Sequence, residues 1–181
     1  MPAPNPDTLK LAKDFSRQSI EIGVARKAGS GTIYLTCSDL KVYMGDMTAA
    51  KFEPKELYTH ESYATGVALA GTTLVSGGYD GKLMWWDVDA GKPVRTAAAH
   101  SKWIRKVIAS PDGKFVASVA DDMACKVWDA GTGKLVHDLR GHKEKTPHDF
   151  TSMLYAVAYS ADGSLLATGD KVGHVAVWDT K

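Results

Sequence analysis

Cysteine is nearly absent from this chain. Cys37 and Cys125 are its only two, too few for a disulfide scaffold and too isolated for a CxxC pair, so both read as small apolar packing residues. Long apolar runs are missing too: nothing approaches the roughly 18 residues that a membrane-spanning helix needs. The opening residues MPAPNPDTLK carry no apolar run behind a basic patch, unlike a secretory or transit signal. These absences predict a cytoplasmic protein with no membrane partner. Charge of one sign is also lacking. Lys and Arg number 22 against 21 Asp and Glu, a net charge of +1, so bulk electrostatics recruits neither nucleic acid nor an anionic surface. Lys102, Arg105 and Lys106 cluster, but Asp121 and Asp122 offset them, and no nucleic-acid partner is expected. There is no GxxxxGKS/T phosphate loop, no HExxH, no GxGxxG and no GxSxG. No cofactor is expected.

What is present is ordinary in amount and unusual in arrangement. The 181 residues are 44% hydrophobic and 24% charged, which suits one soluble domain or at most two small ones. Seventeen glycines and five tryptophans favour many tight turns and large packed rings over a helical bundle. Shifted by 50, the stretch IASPDGKFVASVADDMACKVWDA at 108–130 meets AYSADGSLLATGDKVGHVAVWDT at 158–180. Shifted by 42, Ser76, Asp80, Trp86, Asp87 and His100 meet Ser118, Asp122, Trp128, Asp129 and His142. Three repeat units are therefore clear. Within each, apolar residues alternate over four to six positions, the pattern of short strands. SPDG at 110–113 and SADG at 160–163 put Asp-Gly between two such runs, a strong hairpin signal.

A period near 42, a His early in each unit and a Trp-Asp pair ending its third strand resemble the WD-repeat β-propeller family. The resemblance covers residues 60–181 strongly, and residues 19–59 fit as a diverged first unit in which DLKVYMGD replaces the Trp-Asp strand, with Tyr43 read at the tryptophan position. It implies an all-β fold of four-stranded antiparallel blades, divided as blade 1 (19–59), blade 2 (60–99), blade 3 (100–141) and blade 4 (142–181). The fourth blade lacks its own fourth strand. Residues 8–18, TLKLAKDFSRQ, align with 132–142, so residues 1–18 read as a leading strand that completes the last blade of the same or a partner chain. Four blades are few for this family. A head-to-tail homodimer by strand exchange would make an eight-bladed ring with two-fold closure.

The family pattern also assigns a hydrogen-bond chain to each unit: Asp holds His, which reaches Ser or Thr and then the indole N–H. This implies structural roles for His60, Ser76, Asp80 and Trp86, for His100, Ser118, Asp122 and Trp128, and for His142, Thr168 and Trp178. In the last unit Val172 stands where the aspartate should be, with Asp170 two residues away as a possible substitute. A Ser-His-Asp set that recurs in register and ends each time on a tryptophan argues against catalysis, which needs one exposed nucleophile beside one oxyanion site. The family's usual role is a rigid, non-enzymatic platform for proteins or peptides. Loop residues on one face, Tyr63, Tyr79, Trp103, Arg105, Asp121, Tyr155 and Lys171, are the candidate contacts. The fourth unit carries eight more residues than the preceding one, near KEKTPHDFTSM at 143–153, and insertions in repeat proteins often map to the binding face. His142, His148 and Asp149 match no compact zinc spacing, so no metal is expected. The alternative function is a structural subunit that assembles through its open blade edge.

Overall fold

A computed structural model describes Leu11 and residues 14–180. Fifteen strands fall into four antiparallel sheets, and no helix is present among the described residues. Sheet 1 is β1 (Glu21–Arg26), β2 (Thr32–Cys37), β3 (Lys41–Asp46) and β4 (Lys55–Thr59), paired in chain order. Sheet 2 follows as β5 (Ala64–Ala70), β6 (Thr73–Gly78), β7 (Lys82–Asp87) and β8 (Lys92–Ala98). Sheet 3 is β9 (Ile104–Ala109), β10 (Phe115–Ala120), β11 (Cys125–Asp129) and β12 (Leu135–Leu139). Sheet 4 has three strands, β13 (Leu154–Tyr159), β14 (Leu165–Asp170) and β15 (Val175–Asp179).

The turns form for local reasons. At 110–113 the Gly113 N–H donates to the Ser110 carbonyl at 2.9 Å, Ser110 Oγ donates to Asp112 at 2.6 Å, and Gly113 takes a φ of 69°. The same three features recur at Ser160, Asp162 and Gly163. Only glycine adopts that backbone region without strain.

The first strands β1, β5, β9 and β13 pack in succession at the centre, each against the next. Gly66 shows how close they come: a Cβ there would lie 2.6 Å from the Val107 backbone nitrogen. Between sheets the core is continuous. Leu83 and Trp85 of sheet 2 meet Ile104, Val116 and Trp128 of sheet 3, with Trp85 edge-on to Trp128 at 6.1 Å. Ala117, Cys125 and Val127 of sheet 3 meet Leu154, Val157 and Leu166 of sheet 4. No comparable packing joins β13 back to β1 among the described residues, so the sheets form an arc of a propeller-like fold.

Both end faces of that arc are apolar. On sheet 4, Val175 and Val177 are 64% and 62% exposed, although their counterparts fifty residues earlier, Cys125 and Val127, are buried against the next sheet. On sheet 1, Ile33, Leu35, Cys37 and Tyr43 form a small cluster with Phe52. Phe15 leans on Phe52 at 5.2 Å, and the Arg17 guanidinium lies 4.1 Å over the Tyr43 ring. The expected leading strand lies largely outside the described residues; the described part, Leu11 and residues 14–18, is not in a strand.

The strand register corrects the assignment of Tyr43. Thr32 pairs with Asp46 as Thr73 pairs with Asp87, which sets Gly45, not Tyr43, opposite Ile33 where Trp86 stands opposite Leu74. The missing indole is replaced from outside: a Cβ on Gly45 would meet the Phe52 ring at 2.5 Å. Tyr43 corresponds to Met84, and its hydroxyl donates to Asp39 at 2.6 Å.

Candidate functional site

The repeated polar chain is built at one place in sheets 2, 3 and 4, on the face that carries Ser76, Ser118 and Thr168. In sheet 3, His100 Nδ1 lies 3.0 Å from Asp122, its Nε2 lies 2.8 Å from Ser118 Oγ, and Trp128 Nε1 donates to the same oxygen at 3.0 Å. Burial disfavours the charged form of Asp122, but bonds from His100 and from the Ser101 and Ala124 backbone N–H groups outweigh it and hold the carboxyl down to about 2.

Sheet 2 keeps His60 on Asp80 at 3.0 Å and on Ser76 at 2.7 Å but changes the third partner. Ser76 receives the hydroxyl of Tyr58 at 3.0 Å, and Trp86 stacks on the Tyr58 ring at 5.0 Å. Tyr58 arrives from β4 of the neighbouring sheet, and burial pushes its hydroxyl far up. In sheet 4 the carboxylate is Asp170: it lies 3.0 Å from His142, which reaches Thr168 at 2.8 Å, and Trp178 closes the chain at 3.0 Å. Val172, in the repeat position, contributes only its backbone N–H, which donates to Asp170 at 3.0 Å. Ser76 and Ser118 are 0% exposed.

The loops that enter each first strand and the turns between second and third strands share one end of the arc. They are tied by one recurring backbone bond. Ser38 N–H donates to Ile20, Tyr79 to Tyr63, Asp121 to Trp103 and Lys171 to Met153, all at 2.9–3.0 Å. Six of the seven expected contact residues converge there. The Tyr79 and Trp103 rings stack at 4.2 Å with 7° between planes, and Tyr63 leans on Tyr79 at 5.8 Å. Arg105 sits at the hub, its guanidinium 5.3 Å from each of the Tyr79, Trp103 and Tyr155 ring centres. Two parallel bonds to Asp121, at 2.7 and 2.6 Å, and a third to the Tyr79 hydroxyl at 3.0 Å fix it. Such a bidentate pair is geometrically specific as well as strong, and the hydrogen bond to Asp121 helps raise the Arg105 pKa.

The roles in this cluster differ. Arg105 and Asp121 are largely covered, whereas Tyr63, Trp103 and Tyr155 are each close to half exposed. The ion pair therefore positions two rings that face solvent, Trp103 and Tyr155, together with Tyr79, on which the exposed Tyr63 leans. Lys171 is exposed and joins the face only through its backbone bond to Met153. Met153 was missed from the sequence although the shift of 50 places it on Trp103; its sulfur accepts from Arg105 and from the Tyr155 hydroxyl. The pad can hold an aromatic or aliphatic side chain against ring faces and edges.

Comparison with known proteins agrees with this architecture. The family model described as WD domain, G-beta repeat, matches residues 53–87, 91–129 and 133–179. The chain is 26% identical over 198 residues to nuclear distribution protein PAC1 of Arthroderma otae, covering 95% of this chain and 43% of that protein. It is 33% identical over 132 residues to PAC1-2 of Uncinocarpus reesii, covering 65% and 29%. Rat apoptotic protease-activating factor 1 shares 30% identity over 111 residues, 61% of this chain and 8% of that one. The chain thus spans less than half the length of these relatives. Among solved structures, the computationally designed Ika4 protein superposes with a TM-score of 0.75 at 23% identity, covering 92% of this chain and 94% of that one.

Proposed function

The chain belongs to the family of WD domains, the G-beta repeats, and on that premise we propose that it is a non-enzymatic cytoplasmic scaffold that binds a protein or peptide on the face around Trp103. Proteins of this family act as interaction scaffolds. The observation that carries the reading is the aromatic pad: half-exposed Trp103 and Tyr155 held by one largely covered Arg–Asp pair, with half-exposed Tyr63 leaning on Tyr79 beside them. Exposed aromatic anchors over a fixed base are the usual hot spots of an interface. The buried state of Ser76 and Ser118 supports binding over hydrolysis. Selection of peptides from a displayed random library on the immobilised chain tests this. Trp103→Ala should weaken the selected peptides by about 2 kcal/mol, roughly thirtyfold. Peptides that bind Trp103→Ala as well as the parent chain would refute it.

The finer architecture we propose is an eight-bladed ring of two copies. Its support is the apolar end face of sheet 4, whose counterpart in sheet 3 is buried by the next sheet. A second reading, a structural subunit that docks into a larger complex, draws on the same face and on β15, which has no further strand beside it among the described residues. The two readings separate on whether the chain alone associates.

A further inference from the structure

The turn between β14 and β15 departs from its counterparts, and one change, the added His174, is not needed by the polar chain. Relative to sheet 3, Asp170 replaces Ala120, Val172 replaces Asp122 and His174 replaces Ala124, so the carboxylate has moved by two positions and a histidine has been added. The result is three donor atoms around one point. His142 Nδ1 is 3.0 Å from Asp170 Oδ2 and 3.2 Å from His174 Nδ1, and His174 Nδ1 is 4.0 Å from the same Asp170 oxygen. All three ligand atoms lie within 4.8 Å of one another. As a hydrogen-bonded set this is poorly matched, because the contacts from Asp170 and His174 compete for the same nitrogen of His142.

As a coordination set it is well matched. Nitrogen and oxygen ligands about 2.0–2.1 Å from a tetrahedral zinc lie roughly 3.3–3.4 Å from one another, near the middle of the observed separations. The outer atoms are already fixed. Asp170 Oδ1 accepts from the backbone N–H groups of Val172 and His174, both at 3.0 Å, which leaves Oδ2 aimed at the two rings. His142 Nε2 lies 2.8 Å from Thr168 Oγ1, a partner of the kind that orients a metal-bound imidazole. His142 and Asp170 are almost fully covered and His174 is 56% exposed, so the site is rooted in the sheet and open on one side. That side faces a hollow lined by Lys145, Thr146 and Pro147 of the insertion.

We propose that His142, Asp170 and His174 bind one divalent transition-metal ion, zinc by the chemistry of two imidazoles and a carboxylate, with water in the fourth position. This departs from the expectation of no metal and gives the blade an ionic clip that its neighbours lack. The ion would tie the turn before β15 to the loop that carries His142.

Cobalt(II) titration of the full chain, read by visible absorption, tests it. The expected result is saturation at one ion per chain with a four-coordinate spectrum, and displacement by zinc. His174→Ala should weaken binding at least tenfold without loss of fold, because Ala124 occupies the same place in sheet 3. His174→Lys, copying Lys82 of sheet 2, gives a second variant with the same expected loss. His148→Ala should bind as the parent does. Failure to saturate at millimolar cobalt, or binding by both His174 variants within tenfold of the parent, would overturn the proposal.

Discussion

Ser118 sits at the junction of three groups, His100, Trp128 and its own strand, with no exposure to water. Replacing it with alanine leaves the imidazole and the indole N–H without their partner, and a buried unpaired polar group costs about 1–3 kcal/mol. Thermal melting of Ser118→Ala should therefore fall by several degrees. Asp122 gives the matching pH prediction. Its carboxyl is held down to about 2 in the folded chain, below the ordinary aspartate value near 3.9. Its stabilisation is thus present above about pH 4 and is lost as pH falls from there through about 2. Asp122→Asn should flatten that acid limb in a denaturant titration repeated at each pH. A third residue carries strain rather than charge. Leu40 holds a φ of 74° at the turn position where Gly81 and Gly173 stand in two other sheets. Leu40→Gly should be neutral or stabilising by up to about 1 kcal/mol, since the left-handed region disfavours a branched side chain by roughly that amount.

At the scale of strands and sheets, most of the architecture was legible because two signals coincide: alternation of apolar residues and Asp-Gly turns repeated in register. What departs from the pattern shares one physical cause, a partner supplied from another position than the one the repeat spacing marks. Gly45 was overlooked because its cavity is filled by Phe52, seven residues later in the loop that follows β3. Tyr58 was overlooked because it reaches Ser76 from the adjoining sheet. Asp170 works from two residues away because the turn brings its carboxylate to the same imidazole as the regular position would. The aromatic pad was better marked, since its members recur at the fixed place set by the Tyr63–Tyr79 and Trp103–Asp121 backbone bonds. What one-dimensional spacing lacks is the division of labour within it. Arg105→Ala should release Tyr79, Trp103 and Tyr155 and weaken peptide binding as much as Trp103→Ala, while Lys171→Ala should change it by less than about 0.5 kcal/mol. Calorimetry on one selected peptide distinguishes these outcomes.

For the whole molecule, the decisive feature is that the arc of four sheets ends, on sheet 4, in an apolar face whose counterpart in sheet 3 is buried. Covering roughly 25 cal/mol for each Å² of such surface favours association, and two arcs related by a two-fold axis can cover both ends at once. Val177→Asp should separate them while leaving each chain folded, because Val177 faces outward from sheet 4. The direct measurement is the native mass of the purified chain by light scattering at micromolar concentration. The account predicts about twice the 19.5 kDa of one chain, returning to a single chain in Val177→Asp. A parent chain that stays monomeric across that range would contradict it.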